Sequence, residues 1–326
     1  MNFKKHLTLE DFQILIKSIF PNEKASLLGN ILKDGFMISN GNLYEIQSNI
    51  TYKIVKSEIR MTLLNVSTLL IQESFSKLSS DQQQMMVLEL PKDYKMIFTN
   101  SSVEKFYPQL FKLLEKSEIK FDDYLCEIHF NNGYMDLNTL EFQQRVLHKN
   151  FIIDHISRDY VKSSLKQQTK ILKHVQKIYS KQDDLDNILL IIGSCLSGKA
   201  QVDQDTLFLL GMGSSGKSFT MELTKAAIEC YLQELNDSTF EKNNGKIDKI
   251  LNTFLASPCI RISWINEIKD TKIDDSLFKT FCDGKVQATQ LYKDGTTTIS
   301  LNSKAIISAN TMPNIKIDSG VFRRIL

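Results

Sequence analysis

The sequence predicts an α/β domain built on a parallel sheet over residues 201–326, preceded by a mainly helical α+β region. Three observations carry that prediction. Short apolar, β-rich runs at Leu207–Leu210, Ile260–Ile265 and Lys304–Ala309 alternate with helical stretches at Lys217–Leu232 and Asp274–Cys282. Strands that alternate with helices pair in parallel. A glycine-rich segment, Gly211-Met212-Gly213-Ser214-Ser215-Gly216-Lys217-Ser218, stands between the first strand and the first helix. The other two strands run into polar residues, Asn266-Glu267 and Ser308-Ala309-Asn310, at the end of a sheet where α/β proteins bind ligands.

A chain of 326 residues holds two or three domains. We expect an α+β region over 1–115, a helical lead-in domain over 116–200 and the α/β core over 201–326. Thr8 and Asp11 stand in capping-box spacing ahead of Phe12, Leu15, Ile16, Ile19 and Phe20 on one helical face, and Pro21 ends that helix. Loose alternation from Gly35 to Val55 reads as short strands, and residues 57–78 return to helical spacing. A further helix over Val103–Lys116 precedes a turn at Phe130-Asn131-Asn132-Gly133. Over 161–181, Lys162, Lys166, Lys170, Lys173, Lys177 and Lys181 recur every three or four residues. On a helix they share an arc of about 100°. That stripe is either a solvated face or a track for a phosphate backbone.

Lysine and arginine total 40 against 38 acidic residues, a net charge of +2, so the chain is no polybasic tail. Arginine is scarce, at positions 60, 145, 158, 261, 323 and 324, which makes each arginine a stronger functional suspect than any one lysine. Five cysteines, at 126, 195, 230, 259 and 282, lie far apart with no C-x-x-C spacing. Zinc sites and a disulfide framework are therefore not expected, and a reducing compartment fits. The longest apolar run, Ile188–Ile192, is far short of the ~20 residues that span a bilayer. The N-terminus has no signal-peptide pattern. The expectation is a soluble, intracellular protein without a membrane partner.

The segment Gly211–Ser218 matches G-x-x-x-x-G-K-[ST], with a strand before it and a helix after it. Each residue type has a reason. Glycines let backbone N–H groups turn inward round phosphates at the positive end of a helix. Lys217 reaches the β- and γ-phosphates, and the Ser218 hydroxyl holds Mg²⁺. Gly193–Ala200 repeats the spacing but ends in alanine and leads into the polar stretch Gln201–Asp205, so it reads as a look-alike. Glu267 is then the expected acid beside the attacking water, and Asn310 the expected amide near the γ-phosphate.

In that order, Gly211–Ser218, Glu267 and Ser308–Asn310 resemble the compact motif set of superfamily 3 helicases. More narrowly, they resemble the poxvirus-type primase–helicases of large DNA viruses and related phage and plasmid primases. Phe130–Leu137 resembles that family's turn in the lead-in domain. Leu291-Tyr292-Lys293 resembles the entry to its DNA-contacting hairpin, and Asp318–Ile325 resembles its closing motif. The resemblance implies an AAA+-like ATPase fold that uses ATP and Mg²⁺, with the metal at Ser218 and Glu267. It implies a ring, commonly a hexamer, round single-stranded DNA. Arg323 or Arg324 would act on ATP held by the neighbouring subunit. Lys293 and Lys304, with Lys166, Lys170 and Lys173 of the stripe, are the candidate DNA contacts.

Departures from the pattern are specific. The neutral Asn266 stands where the family often has a second acid, which leaves metal coordination to Ser218 and water. Cys282-Asp283-Gly284 replaces Gly-Gly-Asp, Thr289 stands at an expected arginine, and no primase domain is present. Family members continue past the arginine pair, so the chain is expected to be a lead-in plus a motor without its tail. The expected function is a viral or plasmid-type replication helicase acting with other replication proteins, in host cytoplasm or a virus factory. The alternatives are an ATP-binding loading or recruitment module without unwinding, and a small-molecule kinase.

Overall fold

The computed structural model describes residues 5–18, 20–89, 99–116, 119–179, 181–241, 254, 257–268, 273–289 and 296–326. It divides into two compact units, Met1–Lys120 and Phe121–Leu326. In the first, α1 (Leu9–Lys17) opens on the expected capping box, Asp11 N–H donating to Thr8 Oγ1 at 3.2 Å. Pro21 does not merely stop that helix; it begins the next, α2 (Pro21–Leu32). Its fixed φ and missing N–H suit a first helical turn, and Phe20, expected on the buried face of α1, is exposed. β1 (Phe36–Ser39), β2 (Asn42–Ile46) and β3 (Tyr52–Ile54) form an antiparallel meander. Then come α3 (Ile59–Ser76) and α4 (Ser80–Glu89). The single helix expected over Val103–Lys116 is two, α5 (Asn100–Glu104) and α6 (Tyr107–Leu114), because Pro108 starts a helix rather than continuing one. Phe12, Leu28, Leu32, Leu43, Leu63, Leu70 and Leu110 meet in one core.

The second unit begins with an antiparallel sheet of β4 (Glu127–Phe130), β5 (Gly133–Asp136) and β6 (Glu141–Gln143), with the expected turn between the first two. α7 (Leu165–Gln176) is shorter than the lysine stripe: Lys162 precedes it, Lys177 caps it, and Lys181 caps α8 (Gln182–Leu196). A single turn, α9 (Ala200–Asp203), leads into β7 (Thr206–Leu210) and α10 (Lys217–Ile228). Then follow β8 (Leu232–Leu235), β9 (Ile262–Ile265), α11 (Asp275–Cys282), the antiparallel pair β10 (Lys285–Thr289) and β11 (Thr296–Ser300), β12 (Lys304–Ala309) and α12 (Ser319–Phe322).

Four strands make a wholly parallel sheet in the order β7-β12-β9-β8. Successive residues of a strand point to opposite faces, and both faces of this sheet are apolar. Phe208, Ile265 and Ile307 join Phe278 and Phe281 on one side; Leu207, Trp264 and Ile306 join Met221 and Ile228 on the other. Burial on both sides explains why these strands read as apolar runs rather than alternating ones. The second core also takes in Ile128, Ile156, Val175, Leu185 and Ile188, so residue 200 marks no break in packing. Along the outer edge of β7, Thr206 N–H donates to Arg324 O (2.7 Å), Leu326 N–H to Thr206 O (2.9 Å) and Phe208 N–H to Leu326 O (3.2 Å). The chain's last residues thus run parallel to β7. Among the described residues, no helix is long and apolar enough to cross a membrane.

Candidate nucleotide site

The segment Gly211–Gly216 leaves the C-terminal end of β7 and turns straight into α10. Gly216 is the N-cap, at φ +88°, and a Cβ there would lie 2.5 Å from Ile178 Cγ2. Both the backbone and the neighbour therefore demand glycine. Ser214 also takes a left-handed φ of +61°. The Lys217 ammonium folds back over the loop, donating to Gly211 O, to Met212 O (3.1 Å) and to Ser215 Oγ (3.2 Å). Behind the loop, Tyr179 Oη donates to Thr220 Oγ1 (3.0 Å), which donates to Gly216 O (3.1 Å).

The ends of β9 and β12 lie beside this loop. Register pairs Ala309 with Leu210 and Ile307 with Ile265, so the three strands finish at one edge, with β7 and β9 about 10 Å apart. The backbone there is pinned: Gly211 N–H donates to Ala309 O and Ile268 N–H to Ser308 O, each at 3.3 Å. Trp264 Nε1–H donates to the buried Ser308 Oγ at 3.1 Å. Ser218 Oγ donates to Asn266 Oδ1 at 3.3 Å, joining the loop to β9. Glu267 is exposed and holds φ +51°, a conformation uncommon outside glycine. Asn310 is exposed directly after β12. In sequence Asn266 stands only as a departure from the family pattern beside Glu267; the contact to Ser218 makes it part of the site. Ile178 and Tyr179 back the loop as well, and in sequence they show no more than apolar spacing behind the lysine stripe.

Two expectations are corrected. The Lys304 side chain is only 4% exposed and lies between Asp203 Oδ2 (2.5 Å) and Asp205 Oδ1 (3.0 Å). Burial alone would lower its pKa, but the bonds to the two carboxylates hold it above the ordinary lysine value. It is an internal ion pair, not a DNA contact. Arg324 is likewise buried, donating to Gly320 O (2.6 Å) and paired with Asp283, so it cannot serve a neighbour. Arg323 is exposed and donates to Gln204 Oε1 at 3.3 Å. It sits at the opposite end of β7 from the chain's own loop, about 16 Å away for a five-residue strand. The Gly193–Ala200 look-alike is the last turn of α8 and its exit. Its Gly198, at φ +72°, fits under Arg261.

The other arginines hold backbone or carboxylates. Arg145 donates to Phe130 O, Asn131 O and Gly133 O. Arg158 binds Ala226 O, Ala227 O and Glu229 at the end of α10. Arg261 donates to Pro258 O and Tyr124 O, and Arg60 pairs with Glu104. Lys166, Lys170 and Lys173 are exposed on α7. Lys293 lies outside the described residues.

No family model and no curated protein matches this chain. Among solved structures, the apo structure of the NrS-1 C-terminal region (residues 305–718) aligns at a TM-score of 0.46 and 11% identity, over 93% of this chain and 60% of that one. An A-form apo structure of the same region aligns at 0.45 and 10% identity, over 90% and 58%. The chain therefore spans about 60% of the length of the solved chains it resembles.

Proposed function

We propose that this chain is the ATP-hydrolysing motor of a replication DNA helicase of the superfamily 3 type, with a P-loop at Gly211–Ser218. One observation carries the reading: three adjacent parallel strands deliver Lys217 and Ser218, Asn266 and Glu267, and Asn310 to one edge of the sheet. The residues suit ATP. Loop amides and the Lys217 ammonium form a cationic cradle at a helix N-terminus, and Gly213 has nothing within 4 Å of its Cβ position, leaving room for a phosphate. The residues also suit Mg²⁺. Ser218 supplies a hydroxyl ligand, Asn266 orients it, and Glu267 stands one residue on. When bound, the ion neutralises charge on the β- and γ-phosphate oxygens.

In this scheme Lys217 and the loop hold the phosphates, Glu267 takes a proton from the attacking water, and Asn310 hydrogen-bonds the γ-phosphate or that water. Arg323 of the next copy reaches the transition state in a ring, since it stands a strand's length from its own loop. The DNA partner would be single-stranded, tracked by basic groups of the α7 lysine arc, Lys170 foremost. ATP hydrolysis measured against protein concentration, with and without single-stranded DNA, tests the reading. Turnover per chain should rise with concentration and with DNA. One feature favours a second reading: the neutral Asn266 weakens the metal site, as suits an ATP-binding loader without unwinding. Stoichiometric ATP binding with no DNA-stimulated turnover would select it.

A further inference from the structure

α7 is amphipathic, and only the last turn of its apolar face is covered. Leu165, Leu172 and Val175 fall on one arc in helical projection, with Ile171 at its border. Val175 is buried, but Leu165 is 80% exposed, and Ile171 and Leu172 are exposed too. Lys170 lies opposite Leu165 and Leu172, Lys166 and Lys173 stand at the side of the helix roughly 100° from those leucines, and residues 161–181 contain no carboxylate. α8 shows the complementary pattern. Asp183, Asp186, Leu189, Leu190 and Gly193 share its outward arc, Leu190 being 72% exposed. A Cβ at Gly193 would meet nothing within 4 Å, so another helix can approach closely there.

Two uncovered apolar helix faces of opposite charge therefore stand on consecutive helices. We propose that they are the two halves of one self-association surface, α7 of one copy docking on α8 of the next. Lys166 and Lys173, within about 100° of Leu165 round the helix, flank the contact and face Asp183 and Asp186 of the neighbour. Such a contact is heterologous, so it propagates into a ring or filament instead of ending at a dimer. The rest of the lysine arc points away from the docked side and stays open to a polyanion. Only the closure of this contact into a ring rests on the motor reading; the contact itself needs no nucleotide.

Sedimentation velocity of the full chain without nucleotide tests this. We expect assemblies beyond a dimer that grow with concentration. Leu165→Ser with Leu172→Ser, both at exposed positions, should weaken assembly roughly 100-fold, about tenfold per leucine, with the melting temperature unchanged. Lys166→Glu with Lys173→Glu should also weaken it, and adding Asp183→Lys with Asp186→Lys should restore it. A concentration-independent monomer, a species that stops at a dimer, unchanged assembly of the leucine variant, or no rescue by the charge exchange would each overturn the assignment. So would a monomer that binds vesicles of anionic lipid through the same leucines, the other partner a basic amphipathic helix can take. Lys217→Ala should assemble like the parent chain while failing to bind ATP, so loss of the nucleotide reading leaves this measurement standing.

Discussion

Gly193–Ala200 and Gly211–Ser218 share the spacing G-x-x-x-x-G-K, and the fold puts them to unrelated uses. The first is the capped C-terminal end of a helix, its Gly198 tucked under Arg261 in a buried polar cluster with Tyr124 and Asp122. The second joins a buried strand to a helix, with its lysine curled over the loop. Arg323 and Arg324 repeat the lesson at one residue's distance: one faces solvent, the other is buried against Asp283. In both pairs the neighbouring elements decide which twin is free to meet a ligand. The motif alone does not.

The sharpest way to break the comparison is the arginine pair. A trans arginine is worth ~10³–10⁵ in rate in related phosphoryl-transfer systems, so Arg323→Ala should lower kcat of the assembled protein by about 10³ with melting unchanged. Arg324→Ala should instead destabilise the fold by about 1–2 kcal/mol, read as a lower melting temperature, since it removes a buried hydrogen-bonding side chain whose partner Asp283 is partly solvated. Next come the lysines. Lys217→Ala should weaken ATP binding by roughly 100-fold, and Lys199→Ala by less than about twofold, in a fluorescent-nucleotide titration. Equal losses from both would sink the assignment of the loop.

The cluster behind the look-alike gives a pH test. Burial, opposed by hydrogen bonds from the Ile153 and Asp154 N–H groups, raises the pKa of Asp122 from 3.8 to about 7. The folded chain thus holds this proton more tightly than the unfolded chain. Stability should fall as pH rises from about 4 to about 7 and then level off, a loss of a few kcal/mol at most. Asp122→Asn should flatten that slope in chemical denaturation at pH 5 and pH 8, without altering ATP binding. The smallest effect is conformational. Gly216→Ala adds a left-handed alanine and a clash with Ile178, at a cost of about 2 kcal/mol in thermal melting. Gly213→Ala, in open space, should cost less than half of that.

Much of this was legible in the sequence. Leu207–Leu210, Ile260–Ile265 and Lys304–Ala309 announced three of the four parallel strands because strands buried on both faces must be continuously apolar. Leu232–Leu235 did not, since Gln233 and Glu234 on an edge strand read as the tail of the preceding helix. Lys304 misled for a related reason. A lysine opening an apolar run looks like a solvent-facing terminus until Asp203 and Asp205, about a hundred residues earlier, are folded against it. Asn266 was discounted because its value lies in one contact to Ser218, which no spacing reveals.

The pairing of residues 324–326 along β7 has a mechanical consequence. This strand carries the glycine loop at one end and, through its edge hydrogen bonds, the segment bearing Arg323 at the other. A short extended strand locked between neighbours behaves as a stiff strut. In a ring of the proposed kind, the loop that holds a subunit's own nucleotide and the arginine it offers to the next copy would therefore hang on one and the same strand.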